Sequence, residues 1–329
     1  MTGITSSLWD AVGHTPLLRL RSLSDATGNE ILGKAEQMNP GGSVKDRTAK
    51  GMIAAAERSG ALKPGGTIVE GTAGNTGIGL TMLGRERGYH VVVVMPDNQA
   101  VEKYSLLEAM GAEVRRVPAV PFANQGHFFH TARRLGEENG WWWANQFENT
   151  ANSDIHYTTT GPEIWEQCGG KLDVVVSAAG TGGTISGVSR FLKEQNPKIE
   201  IVLVDPAGSG LYQYIKHGEM KSSGSSITEG IGIMRVTENF RRAVIDDAMH
   251  VPDQEMIDML YHLARTDAQV VGTSAALNAA AAYRLARQRR GQGLRIVTFL
   301  CDHGSRYASR VFNPEFLAQK GLQPKALEP

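Results

Sequence analysis

Short β-branched segments alternate with longer helical patterns along this chain, and that alternation restricts its fold more than any other feature. Segments with the composition of strands are 67–72, 91–96, 141–147, 173–177, 199–205, 268–271 and 295–301. The segment beginning at Val91 is apolar at successive positions rather than at every second one, as expected of a strand covered by helices on both faces. The sequence therefore predicts an α/β fold with doubly wound parallel sheets.

The chain has 329 residues, which exceeds the usual size of one hydrophobic core and predicts two domains. Composition changes near residues 39–42 and 149–153 mark candidate boundaries. Segment 207–234 is rich in glycine and has no clear periodicity. Two interpretations remain for it, a functional loop or lid and a disordered surface loop.

Charge and composition argue against polyanionic partners. The 34 basic residues balance 34 acidic ones, so no net field attracts nucleic acid or an anionic membrane. No run of about 18 apolar residues is present to span a bilayer, and residues 1–10 lack the pattern of a secretory signal. We therefore expect a cytoplasmic protein. Cys168 and Cys301 have no metal-ligand spacing and are predicted to be reduced thiols.

Glycine-rich or hydroxyl-rich loops follow four of the predicted strands, at 73–77, 180–184, 272–274 and 302–305. If the strands are parallel, these loops share one rim, where ligands bind in open α/β sheets. The loop 180–184 (GTGGT) is the clearest phosphate cradle, because its glycines expose backbone N–H groups and a helix N-terminus follows.

Three phosphate ligands compete for this loop. A nucleoside triphosphate requires Gly-Lys-Ser/Thr at the helix start, which is absent after Gly183. A dinucleotide, and hence an NAD-dependent oxidoreductase, stays possible because Asp205 ends the next predicted strand; Ile185 stands where that fingerprint requires glycine or alanine, and Pro206 directly follows the acid. A single phosphomonoester such as pyridoxal phosphate is favoured.

A pyridoxal-phosphate enzyme needs a lysine that is readily neutral. Among the twelve lysines Lys45 is distinctive, since it follows a turn at 39–43 and lies in the first turn of a helix that Ser43 is predicted to cap. The helix dipole and burial there both disfavour an ammonium ion. From these residues alone, an exposed Lys45 is an equally good interpretation.

Six segments in order resemble the cysteine synthase and cystathionine β-synthase family, and the likeness extends from Thr15 to Tyr307. They are 39–47 (NPGGSVKDR), 72–77 (TAGNTG), 146–149 (QFEN), 159–165 (TTGPEIW), 180–184 (GTGGT) and 229–232 (EGIG). The resemblance implies the tryptophan-synthase-β type of pyridoxal-phosphate fold, normally a homodimer. It implies a smaller mobile α/β domain at 41–149 and a larger cofactor-phosphate-binding domain formed by 1–40 plus 150–329.

The resemblance also assigns roles to residues. Lys45 would carry pyridoxal 5'-phosphate, Asn75 would contact the phenolic oxygen of the cofactor, and Gly180, Thr181, Gly182, Gly183 and Thr184 would hold its phosphate. The substrate-binding residues would be Thr72, Ala73, Asn75, Thr76, Gln146 and Gly230. The implied reaction is β-replacement on O-acetyl-L-serine or a related amino acid by sulfide or a thiol, forming L-cysteine. A cysteine desulfhydrase that releases sulfide, pyruvate and ammonia is the alternative, and a non-catalytic homologue is a further one.

Two positions depart from the usual cysteine synthase pattern. Ala73 stands where a serine is common, which removes a hydroxyl group from the substrate loop. His303 stands where a serine usually faces the pyridine nitrogen. The histidine can pair with that nitrogen, or it can turn away and leave Asp302 nearby. These departures leave the identity of the substrate undecided, but they do not change the cofactor that the resemblance implies.

The remaining polar and aromatic clusters favour structural roles. His127 and His130 are three residues apart on a predicted helix, and surface or capping roles are favoured over a metal site because a third ligand is missing. The run at 141–143 (WWW) is predicted to pack in the core. His156 lies near the threonine run at 158–160, and we expect it to have no catalytic role.

Overall fold

Strands from distant parts of the chain assemble into two twisted sheets in the computed structural model, which describes residues 4–72, 74–99 and 101–327. Within these residues the larger sheet has six strands, namely β1 (Leu17–Arg19), β2 (Glu30–Lys34), β7 (Val174–Ala178), β8 (Glu200–Asp205), β9 (Asp247–His250) and β10 (Arg295–Phe299). The smaller sheet has four strands, namely β3 (Thr67–Gly71), β4 (His90–Pro96), β5 (Glu113–Val117) and β6 (Trp142–Trp143).

Both sheets are parallel apart from one edge strand. The larger sheet has the order β1-β2-β10-β7-β8-β9, in which β1 runs antiparallel to β2 and the other neighbours are parallel. The smaller sheet has the order β5-β4-β3-β6 and is parallel throughout. Residues 91–95 of β4 are 0% exposed, as predicted for a strand covered on both faces. The predicted doubly wound α/β class is confirmed.

Helices connect the strands and cover both faces of each sheet. They are α1 (Leu8–Ala11), α2 (Arg21–Thr27), α3 (Lys45–Ser59), α4 (Asn75–Glu86), α5 (Val101–Ala109), α6 (Phe128–Asn139), α7 (Ala151–Ile155), α8 (Gly161–Gln167), α9 (Gly183–Gln195), α10 (Leu211–His217), α11 (Glu238–Arg241), α12 (Asp253–Thr266), α13 (Thr273–Gln288) and α14 (Pro314–Gln319). Short 3₁₀ turns occupy Glu36–Met38 and Gly304–Tyr307, and a π-helical turn, His156–Thr160, joins α7 to α8. None of the helices in the described residues has the length and apolar character needed to cross a membrane.

The hydrophobic core is divided according to the two sheets. One part packs α12 and α13 against the larger sheet, and another packs α8 and α9 against its opposite face. The smaller sheet packs against α3 and α4 on one face and α6 on the other. The side chains of Trp9 and Val12, which precede the predicted boundary at residue 41, join the α3–α4 core.

Two of the predicted strands are wrong in extent or in kind. Segment 268–271 forms no strand, because Ala268 has φ of +54° and Val271 makes a single antiparallel bridge to His303. Segment 141–147 is a strand for two residues, because the backbone of Asn145 turns into the left-handed region. Segment 207–234 contains α10, and its C-terminal part approaches the site described next.

Candidate active site

A cavity of about 470 Å³ lies where the carboxyl ends of β3 and β7 face each other across the two sheets. Eleven residues predicted to bind the cofactor or the substrate line it, namely Lys45, Thr72, Asn75, Thr76, Gln146, Gly180, Thr181, Gly182, Gly183, Thr184 and Gly230. His303 is not among the lining residues, and Ala73 lies outside the residues that the structure describes. Three of the four predicted rim loops, 73–77, 180–184 and 272–274, thus contribute residues to this cavity, whereas the loop 302–305 contributes none.

The loop 180–184 is shaped by close backbone packing. It leaves β7 and enters α9, which begins at Gly183, and Gly182 has φ of +84°. A Cβ atom on Gly182 would lie 2.6 Å from the backbone of Phe240, and one on Gly180 would lie 2.2 Å from the carbonyl oxygen of Gly230. Glycine is thus required for the loop to approach so closely. The backbone N–H groups at the positive end of α9 form a site suited to an anion.

The two threonine hydroxyls of this loop are held by neighbouring side chains. Thr181 Oγ1 accepts hydrogen bonds from Asn152 Nδ2, at 2.9 Å, and from the backbone N–H of Gly183, at 3.3 Å. Thr184 Oγ1 lies 3.3 Å from Nε2 of His156, which sits in the π-helical turn. Burial lowers the pKa of His156 to about 3, so the imidazole is neutral. His156 therefore supports the loop as a neutral hydrogen-bonding group.

Lys45 begins α3 and lines the same cavity as the phosphate loop. Ser43 Oγ accepts the backbone N–H of Lys45 at 3.2 Å, although the helix boundary itself falls at Val44. Burial lowers the pKa of the Lys45 amine, and Cys301 and Asp302 are the nearby acidic groups that oppose this effect. Burial also raises the pKa of the Cys301 thiol to about 12, so this thiol stays neutral. The site thus favours a neutral lysine amine.

A buried ionic network fixes the first turn of α3. Arg47 is 1% exposed and donates to Glu36, with Nε at 2.8 Å, and to Glu163, with Nη1 and Nη2 both at 2.7 Å. Glu163 also accepts from Lys34 Nζ at 2.7 Å. Burial acts to raise the pKa of Glu163, but hydrogen bonds and charge from Arg47 outweigh it and lower the pKa to about 2. This network ties the helix that carries Lys45 to β2 and α8.

Asn75 is engaged with the segment after β10. Its Nδ2 donates to Asp302 Oδ2 at 2.7 Å, and its Oδ1 accepts from Arg306. Asp302 Oδ2 also accepts a hydrogen bond from the Tyr307 hydroxyl, and burial raises the pKa of Tyr307 well above its usual range. His303 is exposed, and its Nδ1 lies 2.8 Å from Ser305 Oγ, where it caps the following 3₁₀ turn. Asp302 is thus buried beside the cavity, and the His303 ring points away from it.

Two of the residues predicted to bind the substrate carboxylate, Thr76 and Gln146, form a hydrogen-bonded chain that ends at Glu70. Thr76 Oγ1 donates to Gln146 Oε1 at 2.6 Å, and Gln146 Nε2 donates to Glu70 Oε1 at 2.9 Å. Thr72 Oγ1 accepts the backbone N–H of Gly74 at 3.2 Å, which shapes the turn into α4. Glu70 was not predicted from the sequence, although a carboxylate at the end of an otherwise apolar strand is a detectable signal.

Charged and aromatic side chains close the cavity mouth. Lys103 on α5 forms an ion pair with Glu229, and the two side chains are 4% and 9% exposed. Arg310 Nη1 donates to the same carboxylate at 3.1 Å. Arg235 lies about 5 Å from the ring centres of three phenylalanines and pairs with Glu148; the three are Phe122, Phe129 and Phe147. The segment 229–235 is thereby held against α5, α6 and the loop before α7.

One amide connects three parts of the site. Asn152 is 0% exposed, and its Oδ1 accepts from Thr48 Oγ1 on α3 at 2.9 Å. Its Nδ2 donates to the carbonyl oxygen of Gln146 at 2.8 Å and to Thr181 Oγ1 at 2.9 Å. The helix of Lys45, the carboxylate residues and the phosphate loop therefore share one buried partner.

Of the residues considered for other chemistry, Asp205 and His130 lie outside the cavity lining, whereas His127 is part of it. Asp205 is 0% exposed, accepts the backbone N–H of Tyr212 at 2.8 Å and does not line the cavity, so it is not placed for a ribose. His127 caps α6 through a hydrogen bond from the N–H of Phe129, and His130 contacts the carbonyl oxygen of Phe122 at 2.7 Å. Their predicted structural roles are confirmed.

A lysine with a lowered pKa, set in one cavity with a glycine-rich anion loop between two α/β layers, defines the pyridoxal-phosphate class of enzymes. The family model described as "Pyridoxal-phosphate dependent enzyme" matches residues 8–302, and the chain belongs to this family.

Particular relatives are cysteine synthases. The chain is 47% identical over 334 residues to cysteine synthase of Dictyostelium discoideum, covering 98% of the chain and 88% of that protein. It is 49% identical over 326 residues to cysteine synthase 1 of Neurospora crassa, covering 97% of the chain and 86% of that protein. Among solved structures, O-ureido-L-serine synthase superposes with a TM-score of 0.87 at 34% identity, covering 95% of this chain and 96% of the other. The resemblance inferred from the motifs is confirmed.

The residues present fit pyridoxal phosphate. The loop 180–184 leaves no room for a Cβ at Gly180 or Gly182 and offers backbone donors to a phosphate. The lowered pKa of Lys45 suits the neutral amine that the cofactor aldehyde requires. When bound, the cofactor supplies an electron sink that stabilises negative charge on the α-carbon of an amino acid.

Proposed function

We propose that this enzyme forms L-cysteine by replacing the β-substituent of O-acetyl-L-serine, or of a related β-substituted alanine, with sulfide. One observation carries the proposal: Lys45, the phosphate loop and the pair of Thr76 and Gln146 all line one cavity. An amino acid whose carboxylate binds at Thr76 and Gln146 would share this cavity with the Lys45 amine. The alignments with the cysteine synthase relatives cover nearly the full length of the chain.

Lys45 has two tasks in this proposal. Its Nζ would hold the cofactor, and Nζ would also accept the proton from the substrate α-carbon as a general base. The lowered pKa of Lys45 allows the amine to be a proton acceptor near neutral pH. Nζ then holds this proton in a water-poor cavity, where it is available for return to the α-carbon of the product.

Thr72, Asn75, Thr76 and Gln146 bind the substrate carboxylate in this proposal. They lie at the end of β3, at the start of α4 and in the loop after β6, so these side chains and the backbone N–H groups at the start of α4 line the cavity. Donors that are fixed before the substrate arrives lower the entropic cost of orienting it. Gly230 also lines the cavity, in the segment paired with Lys103 through Glu229.

Water exclusion separates replacement from elimination. The buried pair of Lys103 and Glu229 and the cluster around Arg235 contribute to the cavity lining, and in this proposal they limit the access of water. Exclusion of water leaves sulfide as the nucleophile that reaches the β-carbon and disfavours hydrolysis to pyruvate and ammonia.

The test is a product analysis of the purified holoenzyme with O-acetyl-L-serine plus sulfide, and separately with L-cysteine alone. Cysteine formation in the first reaction is expected, together with loss of both activity and the visible cofactor absorption band in Lys45→Ala. The matched control is Lys50→Ala on the same helix, because Lys50 Nζ contacts the carbonyl oxygen of Val12 at 3.5 Å and does not line the cavity. Lys50→Ala should keep both the band and the product.

The cysteine desulfhydrase reaction is the outcome that overturns the proposal. Pyruvate released from L-cysteine, with no cysteine made from O-acetyl-L-serine and sulfide, assigns the chain to β-elimination. Retention of the absorption band in Lys45→Ala removes the anchor role of that lysine.

The organisation around this activity is proposed as well. We propose a homodimer, a smaller mobile domain at 41–149 that carries the carboxylate residues, and a larger domain at 1–40 plus 150–329 that carries the phosphate loop. Light scattering of the holoenzyme tests the dimer, since a monomer mass rejects it. A cytoplasmic location is part of the proposal, and cell fractionation tests it.

A further inference from the structure

Glu70 is a buried carboxyl group that the reaction proposed above does not use. It is 1% exposed at the end of β3, and its Oε2 atom has no hydrogen-bond partner among the described residues. Burying an incompletely paired carboxyl group opposes folding, so such a group needs a reason to be retained. The partner of its other oxygen, Gln146, lines the cavity.

The hydrogen bonds that lead from Glu70 to the cavity have a direction. In the arrangement described above, Thr76 Oγ1 donates to Gln146 Oε1, and Gln146 Nε2 donates to Glu70 Oε1. The second Nε2 proton points to the carbonyl oxygen of Gly71 at 3.4 Å. Every donor of this chain is turned away from the cavity. A substrate carboxylate accepts hydrogen bonds and donates none, so this arrangement offers it no side-chain donor.

A proton on Glu70 permits the opposite direction. Protonated Glu70 donates to Gln146 Oε1 after the carboxamide turns over, since an amide presents a donor or an acceptor to the same neighbour. Gln146 Nε2 then donates to Thr76 Oγ1, and the Thr76 hydroxyl and the second Nε2 proton are free to donate into the cavity. The three side chains stay hydrogen-bonded to one another in both arrangements. The two differ in which end of the chain carries the donors.

We propose that Glu70 is a positioning residue whose proton sets the direction of the Glu70–Gln146–Thr76 chain, and that carboxylate ligands bind when Glu70 is protonated. The inference rests on the proposed function in one respect, namely that the ligand of this wall is an amino-acid carboxylate. It assigns a role to a residue that touches neither the substrate nor the cofactor.

The surroundings of Glu70 support a bound proton near neutral pH. Burial raises the pKa of Glu70 to about 8, against hydrogen bonds from the Gln146 side chain and from the backbone N–H groups of Asn145 and Gln146. The charged and titratable groups on the elements packed against β3 and around the cavity are His90 on β4, Arg85 and Glu86 on α4, His127, His130, Arg133, Arg134, Glu137 and Glu138 on or beside α6, and Lys45, Lys103, Glu229, Arg235, Cys301 and Tyr307 in the cavity. None of these contributes to the shift at Glu70.

The sign of the pH dependence follows from the raised pKa. Below about pH 8 Glu70 is neutral, and the donors of Thr76 and Gln146 can face the cavity. Above about pH 8 the Glu70 carboxylate accepts the hydrogen bond from Gln146, and these donors turn away from the cavity. Carboxylate affinity should therefore fall by up to about tenfold per pH unit above pH 8, and binding at about pH 9 should take up close to one proton. At pH 7 almost no proton should be taken up.

The experiment uses the wild-type holoenzyme and propionate, which has a carboxylate but no amine to titrate. Propionate dissociation constants are measured from the shift of the cofactor absorption band between pH 6.5 and 9.5, and proton uptake is measured in weakly buffered solution. Glu70→Gln, whose carboxamide can donate at every pH, should bind propionate without the alkaline loss of affinity. The control Glu113→Gln changes a half-exposed glutamate of β5 and should keep the wild-type profile.

A Glu70→Gln profile that falls above pH 8 as the wild-type profile does overturns the inference, as does wild-type binding at pH 9 without proton uptake. The proton-uptake arm needs no variant, so it decides the matter even if Glu70→Gln fails to fold. Proton-linked propionate binding without cysteine formation rejects the proposed function alone. Cysteine formation with pH-independent propionate binding rejects this inference alone.

Discussion

The buried guanidinium beneath Lys45 allows a quantitative test of how the site is held. Arg47→Met keeps the apolar stem and removes the charge that pairs Glu36 with Glu163. Glu36 is 0% exposed and is left with the hydroxyl of Thr15 and the amide of Asn39 as partners. An unpaired carboxylate is thereby created in the core, where its solvation is poorest.

Two independent routes give the magnitude of this effect. Removal of one partner from a buried ion pair costs about 3–5 kcal/mol. The Glu163 pKa falls from 4.5 to about 2 in the folded protein, and at about 1.36 kcal/mol per pH unit this corresponds to about 3 kcal/mol at pH 7. We therefore expect Arg47→Met to lower the free energy of unfolding by about 3–5 kcal/mol at pH 7.

The same network predicts a pH dependence with a definite sign. Because Arg47 holds the pKa values of Glu36 and Glu163 below their usual range, their stabilisation is complete above pH 4.5 and is lost as the pH falls toward 2. Wild-type stability should decline in this window. The difference between wild type and Arg47→Met should shrink over the same interval, because the variant has already lost the pairing.

Urea unfolding of the holoenzyme, followed by the fluorescence of its five tryptophans at fixed cofactor concentration, provides the measurement. The control is Arg19→Met, which removes a pair whose members are 48% and 60% exposed and should change stability by no more than about 1 kcal/mol. A loss below about 1 kcal/mol in Arg47→Met at pH 7, or a difference that stays constant down to pH 2, would refute the reasoning.

Three further outcomes are expected. His156→Leu should weaken cofactor binding about fivefold in equilibrium dialysis, because it removes one hydrogen bond to Thr184 that contributes about 1 kcal/mol. Since the imidazole has a pKa of about 3 and is neutral above pH 5, this loss of affinity should not depend on pH there. Gly182→Ala should lower cofactor affinity at least about tenfold, because the added Cβ clashes with the backbone of Phe240 and the left-handed φ adds strain. The control Gly65→Ala has open space around its Cβ, so it experiences the left-handed strain alone. Thermal unfolding of the two variants compares their losses of stability. Cys301 should remain unalkylated by iodoacetamide at pH 8 in mass spectrometry, because burial raises its thiol pKa to about 12.

Each of these outcomes has a matching refutation. Unchanged dialysis constants in His156→Leu mean that Thr184 does not depend on the imidazole. Equal cofactor affinities for the two glycine variants mean that the contact with Phe240 does not shape the loop. Rapid alkylation of Cys301 means that its thiol ionises near pH 8, against the raised pKa.

Periodicity and loop chemistry were enough to predict the α/β class and most of the cavity wall. The apolar run at 91–95 directly indicates a strand that is buried on both faces. The glycines at 180–184 directly indicate a loop that approaches other backbone closely. The strand β5 was missed because its sequence, EVRRV, is charged at an edge position where one face meets solvent. The segment at 268–271 misled because its apolar composition does not reveal the positive φ of Ala268.

Contacts between distant residues set the limit of that prediction. Glu70 and Gln146 are 76 positions apart, and His156 and Thr184 are 28 apart, so no spacing rule joins them. The orientation of His303 was likewise open from the sequence, because its capping bond to Ser305 depends on the local turn. The phosphate loop could be predicted from its own residues and Lys45 from the family resemblance of residues 39–47, whereas the residues that support them could not be predicted.

The single amide of Asn152 has a consequence for protein engineering and for divergence within the family. Because it touches Thr48, Gln146 and Thr181 at once, a replacement that enlarges or recharges one of these neighbours disturbs the other two. Chimeras that exchange the phosphate loop between relatives should therefore succeed when residues 48, 146 and 152 travel with it as a set. New substrate ranges are more easily selected at the mouth around Arg235, where changes do not reach this shared partner.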